Sequence, residues 1–460
     1  MLKLRRVPRT GAFRTVKNAK QCRNFHFETK LLDDLNSRGM ISQKTEIKEL
    51  EKPTAVYLGI DPSAKSLHVG HLLPLMVLLH FHLRGHSVIP LIGGATGLVG
   101  DPSGKLEERT PLGEQKAVSN VESLSTAVTR FFETGTKYAA ERIQPSGKEL
   151  DIPKVANNVE WLGSLSLMEF LTKVGRYARV PAMISRDSVK IRMESKQGIS
   201  FTEFTYQLLQ AYDFYHLYHS RGCTIQLGGQ DQWGNIVSGI DLVDRTRGKD
   251  SPEVHGITTP LLTTASGAKF GKSEGNAVWL DKQLTSVLDF YQFFLRTADH
   301  DVEKYLKIFT LKSPSEINEI VKEHNQAPER RKGQRLLADE VVQLVHGKEA
   351  VRRGQIATRV LFETSFSDLS AKDIVDALEG DPRLVRCSRE DIIEQPIWKL
   401  AANFGLVKSN SEARRLADSK GLYLNNTVID SKQQLQTSDL VDNGVIVLRA
   451  GKEKHLILAI

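Results

Sequence analysis

The stretch YLGIDPSAKSLHVGH, from Tyr57 to His71, decides how the rest of the chain is interpreted. It begins inside a short apolar run, AVYLGI, which predicts a buried β-strand. The residues Asp61-Pro62-Ser63 are typical of a turn, and the leucines and methionine from Leu72 to Leu79 predict a buried helix. The stretch is therefore a strand, a loop and a helix start, and a helix N-terminus offers unpaired N–H groups to an anion.

The residues His68-Val69-Gly70-His71 lie at the start of that predicted helix. Gly70 has no Cβ, so a flat ligand such as a purine could lie against its backbone. The alternative is that two ordinary polar residues cap a core helix. We expect no metal site here, because no third ligand is near and the spacing lacks the HExxH context.

A glycine-dense loop, Gly93 to Lys105, follows a second predicted strand, SVIPLI, at 87–92. The loop is not a P-loop, because Leu106 stands where Ser or Thr is required, and it contains no GxGxxG. It is either a flexible cluster of turns or a loop whose backbone approaches a ligand. In the second case Asp101 would direct a carboxylate into the site.

A polar face runs along the predicted helix from Thr202 to Tyr218. Tyr206, Gln210 and Asp213 are spaced i, i+4 and i+7, which places them on one side of a helix. They form either a solvated stripe or the wall of a pocket. The next predicted strand, TIQLGG, ends in Gly229-Gln230-Asp231-Gln232-Trp233-Gly234-Asn235, and ligands of open α/β sheets bind beyond the C-terminal ends of strands.

The composition is that of an ordinary soluble protein, and its net positive charge is concentrated at the N-terminus. The chain has 460 residues, of which 40% are hydrophobic and 26% charged, and no apolar run is long enough to cross a bilayer. The formal net charge is +8, but residues 1–27 contain eight basic residues and no acidic one. Removing these eight from the 63 Lys and Arg leaves 55, against 55 Asp and Glu. Any RNA-binding surface must therefore be a local patch.

The N-terminal segment 1–27 has the Arg-rich, acid-free composition of a mitochondrial transit peptide. A disordered basic tail that binds nucleic acid is the alternative. Cys22, Cys223 and Cys387 are far apart and give neither a disulfide framework nor a zinc motif, which suits a reducing compartment. After this segment, Lys30 to Glu51 is interpreted as a helix with a break at Gly39.

The second half of the chain is helical from Thr285 to about Glu379, and a small mixed module follows. In that module Ser409 and Glu412 fit a capping box at the start of a helix that carries Arg414 and Arg415. Asn425-Asn426 predicts a turn between strands, and GVIVLR and KHLILAI predict two more strands. This pattern resembles the S4-like RNA-binding module, whose two arginines would project towards backbone phosphates.

The second motif that carries chemistry is Lys269-Phe270-Gly271-Lys272-Ser273. By itself it is either a solvated turn or a mobile phosphate clamp. Together with HVGH it resembles the HIGH and KMSKS signatures of class I aminoacyl-tRNA synthetases. The surrounding residues, from about Leu31 to the C-terminus, resemble the bacterial-type tyrosyl-tRNA synthetases, in a mitochondrial form. Phe270-Gly271 replaces the Met-Ser of the general signature, which is usual for tyrosyl enzymes.

The resemblance implies roles for particular residues. The phenol of the substrate tyrosine would contact Tyr57 and Asp213. Its ammonium group would contact Asp101, Tyr206 and Gln210, and its carboxylate would contact Gln232. ATP would be bound by Gly59, Asp61, Ser63, His68, Gly70, His71, Gly229, Asp231, Lys269, Phe270, Lys272 and Ser273. The groups assigned to catalysis are His68, His71, Lys105, Arg109, Lys269 and Lys272, and the resemblance assigns no metal ligand to the protein.

The predicted fold class is α/β, with a Rossmann-like parallel-sheet catalytic domain that carries a helical insertion. An α-helical domain and a small α+β S4-like domain follow it. The predicted boundaries are a transit peptide at 1–27, the catalytic domain at 28–284 with its insertion at about 106–185, a helical anticodon-binding domain at 285–384 and the S4-like domain at 385–460.

The implied reaction is attack of the tyrosine carboxylate on the α-phosphate of ATP, followed by transfer of the tyrosyl group to tRNA(Tyr). Charge develops on phosphoryl oxygens, so the catalyst needs positioned cations and N–H donors, and Mg²⁺ would come with ATP. The resemblance to this family implies a homodimer, and the transit-like segment 1–27 implies that the protein is located in the mitochondrial matrix. Two other functions stay open: another HxGH nucleotidyltransferase, such as the tryptophanyl relative, and assistance to intron folding.

Overall fold

The computed structural model describes residues 25–460 except 48, 49, 51, 104–112, 145–149, 196, 197, 265, 266, 268, 269, 274, 275, 364, 365, 367 and 452. The predicted transit segment therefore lies outside the described residues up to position 24. The chain divides into two compact units. The first contains the described parts of 1–65 and 73–261, and the second contains 66–72 and the described parts of 262–460.

The first unit is built on a six-stranded sheet. Its strands are β1 (Gln43–Lys44), β2 (Ala55–Ile60), β3 (Ser87–Ile92), β4 (Ala156–Asn157), β5 (Cys223–Gly229) and β6 (His255–Thr259). The order across the sheet is β1-β6-β5-β2-β3-β4, and β1 is antiparallel while the other five strands are parallel. The parallel α/β sheet is thus confirmed, and its strands β2, β3 and β5 are buried along almost their whole length, as continuous apolar runs predict.

The helices that accompany this sheet begin and end as follows: α1 (Leu31–Ser37), α2 (Leu72–Leu83), α3 (Thr96–Val99), α4 (Glu114–Ala140), α5 (Val159–Leu162), α6 (Leu167–Phe170), α7 (Val180–Ile184), α8 (Asp187–Met193), α9 (Phe201–Arg221) and α10 (Trp233–Thr246). The predicted polar helix is confirmed as α9, which the Ser200 hydroxyl caps and Gly222 ends at φ +65°. No helix among the described residues is long and apolar enough to span a membrane.

One sequence-based assignment in this unit is wrong. The helix expected from Lys30 to Glu51 ends at Ser37, because Gly39 turns the chain at φ +69°. The following residues join the sheet, where the Ser42 and Thr45 N–H groups donate to strand β6. The described part of the segment 106–185 is mainly helical, and its short strand β4 extends the sheet beside β3.

The second unit begins with a short hairpin and continues as a helical array. The hairpin pairs β7 (Lys272–Ser273) with β8 (Asn276–Ala277). The helices that follow are α11 (Val287–Leu295), α12 (Asp299–Phe309), α13 (Pro314–Gln326), α14 (Lys332–His346), α15 (Lys348–Phe362) and α16 (Ala371–Leu378). Gly347, at φ +86°, separates α14 from α15, which confirms the predicted helix stop.

The C-terminal part of this unit is a five-stranded sheet with three helices. Its elements are β9 (Leu384–Arg386), α17 (Arg389–Ile392), α18 (Ile397–Asn403), α19 (Asn410–Asp418), β10 (Leu422–Leu424), β11 (Thr427–Val428), β12 (Val445–Ala450) and β13 (Lys454–Ala459). The sheet order is β11-β10-β12-β13-β9. One face packs on α18 and α19, and Val445, Val447 and Ile457 on the other face share a core with α15 and α16.

Local signals in this module are mostly confirmed. Asn425 and Asn426 take φ of +47° and +66° in the turn between β10 and β11, which asparagine tolerates. The capping box at Ser409 is only half formed. The Ser409 hydroxyl accepts the Glu412 N–H, but the Glu412 carboxylate accepts the N–H of Lys408, one residue earlier than expected.

Candidate active site

A buried carboxylate, Asp213 on α9, is the centre of the polar network in the first unit. The indole Nε1–H of Trp161 donates to one carboxylate oxygen at 2.7 Å, and the Asn158 amide donates to the other at 3.0 Å. Both donors come from the short segment that follows β4. The side chain of Asp213 is only 3% exposed, so these two bonds orient it fully inside the protein.

The electrostatics of Asp213 distinguish it from a surface carboxylate. Burial raises its pKa to about 7, although the hydrogen bonds from Asn158 and Trp161 act in the opposite direction. Tyr57 on β2 lies beside it, and burial followed by the charge of Asp213 raises the pKa of the Tyr57 phenol well above its usual value. The Tyr57 hydroxyl is buried without a hydrogen-bond partner among the described residues.

This orphaned hydroxyl has a chemical consequence. A buried hydroxyl without a partner costs free energy, and natural proteins rarely leave one unless a ligand or water completes it. Tyr57 offers an O–H donor, and Asp213 offers a carboxylate whose ionisation changes near neutral pH. The pair suits a ligand hydroxyl, which can accept from Tyr57 and donate to Asp213.

A second carboxylate, Asp61, is joined to the same network. The Tyr206 hydroxyl donates to it at 2.9 Å and the Thr96 hydroxyl at 3.0 Å. Asn158 also donates to the Thr96 hydroxyl oxygen at 3.0 Å. Since Thr96 donates to Asp61 and Asn158 donates to Asp213, these hydrogen bonds connect the two carboxylates. Burial, and then the charge of Asp61, raise the pKa of Tyr206 well above its usual value, which keeps that phenol protonated.

The glycine-dense loop fits closely against the turn that follows β2. A Cβ on Gly93 would lie 2.3 Å from an Asp61 carboxylate oxygen, and one on Gly97 would lie 2.6 Å from the Pro62 ring. These glycines therefore make room for protein atoms. The sequence left open a backbone approach to a ligand, and at these two positions the close neighbour is the chain itself.

A third carboxylate, Asp101, is held where the loop meets α10. Gln232 donates to it at 2.6 Å and Asn235 at 3.3 Å, and the Ser103 N–H donates at 3.0 Å. Asp231 accepts a further bond from the Gln232 amide at 3.2 Å. Asp101, which the resemblance assigned to the same substrate as Gln232, is thus in hydrogen-bond contact with the polar residues beyond β5.

The remaining predicted positions of this unit differ in exposure. Gln210 is half-buried on the face of α9 that carries Tyr206 and Asp213. Gly59 is exposed although its strand is otherwise buried, and no described atom lies within 4 Å of the place where its Cβ would be. Ser63 is exposed, and its N–H donates to the Asp61 carbonyl at 2.8 Å. Gly229 lies close to the Asp231 carboxylate, where a Cβ would be 2.6 Å from an oxygen.

The HVGH residues belong to the second unit, where Val69–His71 forms a 3-10 turn. His68 Nδ1 accepts the Gly70 N–H at 3.0 Å, and His71 Nδ1 accepts the His68 N–H at 3.1 Å. His71 Nδ1 also lies 3.3 Å from the His68 carbonyl oxygen, so the two histidines hold each other's backbone in this turn. A Cβ on Gly70 would lie 2.7 Å from the His68 ring, so the space that we assigned to a flat ligand accommodates a histidine.

The KFGKS loop packs directly against HVGH in this unit. Gly271 takes φ +90°, and a Cβ there would lie 2.5 Å from the Val69 side chain. The Val69 N–H donates at 2.9 Å to the carbonyl of Val278, whose own N–H donates to Gly271. The two signatures, distant in sequence, are therefore neighbours.

Phe270 anchors this loop. Its ring is 5% exposed and packs among the aromatic residues Phe293, Phe294, Tyr305 and Phe309. Any contact of Phe270 with a nucleotide must therefore come from its backbone. Lys105, Arg109 and Lys269 lie outside the described residues, as do the side chains of Lys272 and Ser273.

Sequence reasoning assigned no role to Asn235, although this residue lies in the polar stretch that was singled out after strand β5. Three other members of the network were missed entirely: Thr96, Asn158 and Trp161. These three carry no such local signal. The last two lie in the segment that was assigned to a helical insertion.

Known proteins identify the class. A family model described as tRNA synthetases class I (W and Y) matches residues 48–363. The mitochondrial tyrosine–tRNA ligase of Saccharomyces cerevisiae is 42% identical over 444 residues, covering 93% of this chain and 88% of that protein. The tyrosine–tRNA ligase of Roseiflexus castenholzii is 43% identical over 439 residues, covering 93% and 99%. The solved structure of a C-terminally truncated mitochondrial tyrosyl-tRNA synthetase from Aspergillus nidulans matches with a TM-score of 0.66 at 37% identity, covering 72% of this chain and 94% of that one.

The chain therefore belongs to the class I tRNA synthetases of the tryptophan and tyrosine family. Within this family it is an aminoacyl-tRNA synthetase of the bacterial tyrosyl type. Both the resemblance seen in the sequence and the α/β fold class are confirmed.

The bond from Trp161 generates a prediction about Asp213. Because this bond stabilises the ionised carboxylate, Trp161→Phe should raise the pKa of Asp213 above about 7, so the ionised form should appear only at higher pH. The matched control is Trp398→Phe, whose indole donates to the Ser431 carbonyl in the second unit. Infrared titration of protein labelled at its aspartates reports the midpoint. An unchanged or lowered midpoint in Trp161→Phe contradicts the assignment.

Proposed function

We propose that this chain activates tyrosine with ATP and transfers it to the 3′ end of tRNA(Tyr) for mitochondrial translation. The observation that carries the proposal is the buried pair of Tyr57 and Asp213. A phenol donor without a partner stands beside a carboxylate whose pKa is about 7. The para-hydroxyl of tyrosine completes both groups, whereas indole, the side chain of tryptophan, has no hydroxyl to offer.

The amino-acid end of the substrate is bound by the other carboxylate clusters. Asp101, Tyr206 and Gln210 hold the ammonium group, and Gln232 contacts the carboxylate. The support for this arrangement is that Gln232 and Asn235 already orient Asp101, while Tyr206 and Gln210 share a face of α9 with Asp213. Rigid elements therefore fix both ends of the tyrosine site, which reduces the entropy lost when the substrate is positioned.

The first chemical step is formation of tyrosyl-adenylate. A tyrosine carboxylate oxygen bonds to the α-phosphorus of ATP while the bond from that phosphorus to pyrophosphate breaks. Negative charge grows on the α-phosphoryl oxygens and on the leaving group, and cations and N–H donors stabilise it. These donors are His68, His71, Lys105, Arg109, Lys269 and Lys272. ATP enters as a substrate together with its Mg²⁺.

The remaining nucleotide contacts come from both signatures and from the ends of two strands. They are Gly59, Asp61, Ser63, Gly70, Gly229, Asp231, Phe270 and Ser273. Gly59 supports this assignment, because it opens an otherwise buried strand to a space that a ligand can enter. In the second step a ribose hydroxyl of the tRNA attacks the tyrosyl carbonyl, and AMP leaves.

The RNA partner contacts the C-terminal module through Arg414 and Arg415. Both arginines are exposed on α19, whose other side buries Ala413 and Ala417 in the core of the module. Arginines on an exposed helix face suit phosphate contacts, which position an RNA without reading its sequence. In this division of the chain, residues 28–284 activate tyrosine, 285–384 bind the anticodon region and 385–460 form the S4-like module.

A second copy of the chain covers an apolar surface of the first unit. The support is that several large apolar side chains between residues 167 and 201 are exposed, and contiguous exposed apolar side chains are typical of interfaces. These side chains are Leu167 (71% exposed), Met168 (67%), Val180 (55%), Met193 (51%) and Phe201 (80%). The active protein is therefore a homodimer. It acts in the mitochondrial matrix, which the acid-free segment 1–27 and the mitochondrial relatives support.

The phenol contacts predict the specificity of the enzyme. Tyr57→Phe and Asp213→Ala should each reduce discrimination between tyrosine and phenylalanine by roughly 10²-fold, the effect of losing a hydrogen bond to a buried polar group. ATP–pyrophosphate exchange with each of the twenty amino acids measures the ratio of kcat/KM. The half-buried Tyr215→Phe, on the same helix, is not expected to alter it. If the ratio were unchanged in Asp213→Ala, the tyrosine assignment would fail.

The proposed role of Lys272 in the KFGKS loop leads to a prediction about the rate of adenylate formation and the affinity for tyrosine. If Lys272 contacts the departing pyrophosphate, its charge acts in the transition state, so Lys272→Ala should slow adenylate formation by roughly 10²-fold. Tyrosine affinity should hardly change, because its contacts lie elsewhere. Rapid-quench kinetics and equilibrium binding of tyrosine measure the two quantities. Lys282→Ala, nearby and exposed, is the control. Weaker tyrosine binding with an unchanged chemical step would exclude the clamp.

The apolar surface predicts the oligomeric state. Phe201→Asp places a charge where the partner copy would pack, so it should convert the dimer to a monomer in light scattering coupled to size exclusion. Phe362→Asp, an exposed phenylalanine of the second unit, should leave the dimer intact. A wild-type chain that is monomeric at micromolar concentration contradicts the proposal.

A further inference from the structure

A buried cluster of charged residues joins α1 to the end of α2 in the first unit. The Asp34 carboxylate accepts from Arg38 at 2.7 Å and from Arg84 at 2.5 Å, and all three side chains are nearly inaccessible to solvent. Arg84 also donates to His80 Nδ1 at 3.0 Å, so His80 is a neutral acceptor rather than a cation in this cluster. Two guanidinium groups thus face one carboxylate.

This cluster has an excess of positive charge that needs further stabilisation. Burying an ion is expensive unless other groups replace its hydration. Burial lowers the pKa of Arg84 to about 10, although the partner Asp34 acts against the change. The Nε atom of Arg84 is moreover buried with no hydrogen-bond partner among the described residues.

The aromatic ring of Phe27 supplies that stabilisation. The guanidinium carbon of Arg84 lies 3.5 Å from the centre of the ring, and the His80 ring lies 6.4 Å from it. At this distance the negative face of the ring attracts the cation, and the attraction is stronger where water is excluded. Phe27 therefore covers the cluster from outside the two helices.

The backbone next to Phe27 is part of the fold as well. The His26 N–H donates to the carbonyl of Gln144, which follows α4, and Phe25 forms an isolated β-bridge. Residues 25–27 are thus attached to the first unit through a side chain and through backbone bonds. Composition assigned them to the transit segment 1–27, because acidic residues begin only at Glu28.

We propose that Phe25–Phe27 belong to the mature protein, that import processing ends before Phe25, and that Phe27 is an aromatic lid on the Asp34–Arg38–Arg84 cluster. The position of the processing site rests on the mitochondrial import proposed above, whereas the packing of Phe27 on the cluster is independent of it. Removal at residue 27 would expose Arg84 and loosen the junction of α1 with α2. The processing step and the stability of the catalytic unit are therefore connected.

The lid is tested by substitutions in the full-length chain. Phe27→Ala should lower Tm by about 2–4 °C, the shift expected for losing one buried cation–π contact in a unit of this size. Phe27→Tyr should restore the wild-type Tm, whereas Phe27→Leu should not, because leucine covers the cluster without an aromatic face. Hydrogen exchange should accelerate in α1 and at the end of α2. The proposed role of the Phe27 ring is wrong if Phe27→Ala has the same Tm as the wild type, or if Phe27→Leu has the full wild-type Tm.

The position of the cut is tested by the intact mass of the protein isolated from mitochondria. A mature chain that has lost N-terminal residues and begins at or before Phe25 supports the proposal, and one that begins after Phe25 overturns it. A protein that keeps residues 1–24 overturns the proposed processing step and removes the import signal from the proposed function, while the lid is then decided by the substitutions alone. Pyrophosphate exchange measured on the same samples tests the enzymatic proposal separately.

Discussion

The burial of the Asp213 carboxylate is the constraint on which the rest of the active site depends. A carboxylate with 3% exposure is unstable in the fold unless donors replace the water that it has lost. Asn158 and Trp161 are those donors, and they lie far from α9 in sequence. Formation of the site therefore requires the segment after β4 to pack against α9, so the edge of the sheet and the binding pocket form together.

The same network explains the composition of the loop after β3. Asn158 bonds to Thr96, Thr96 bonds to Asp61, and Asp61 accepts from Tyr206. For these bonds to form, the loop must approach the turn at Asp61-Pro62 so closely that a Cβ at Gly93 or Gly97 would overlap it. Glycine in this loop is thus a requirement of the polar network rather than a sign of flexibility.

The second unit shows how two distant signatures become one structure. Gly271 reaches φ +90° and leaves room for Val69, while Phe270 holds the loop by packing among four aromatic rings. Phe270 and Gly271 therefore attach the second signature to the aromatic core of this unit and to HVGH.

The sequence by itself predicted much of this molecule, for reasons that are local. Apolar runs gave β2, β3 and β5, helical spacing gave α9 with its polar face, and Gly347 gave a helix end. The resemblance placed Asp101 and Gln232 in one site, and the structure joins them by a hydrogen bond of 2.6 Å. The local inferences use the period of an element or the chemistry of a turn, and neither depends on distant residues.

Other features were decided by the tertiary structure alone. Strand β4 has two residues and no periodicity, so only its neighbour β3 makes it a strand. The chain after Ser37 leaves the helix because Gly39 turns it and strand β6 offers hydrogen bonds. Asn158 and Trp161 belong to the polar network because they donate to Asp213 across the fold, and Phe27 contacts the Arg84 guanidinium from a distant part of the chain. The partners of a buried charge are the groups that the tertiary structure brings next to it, and the spacing of residues along the chain does not predict which groups these are.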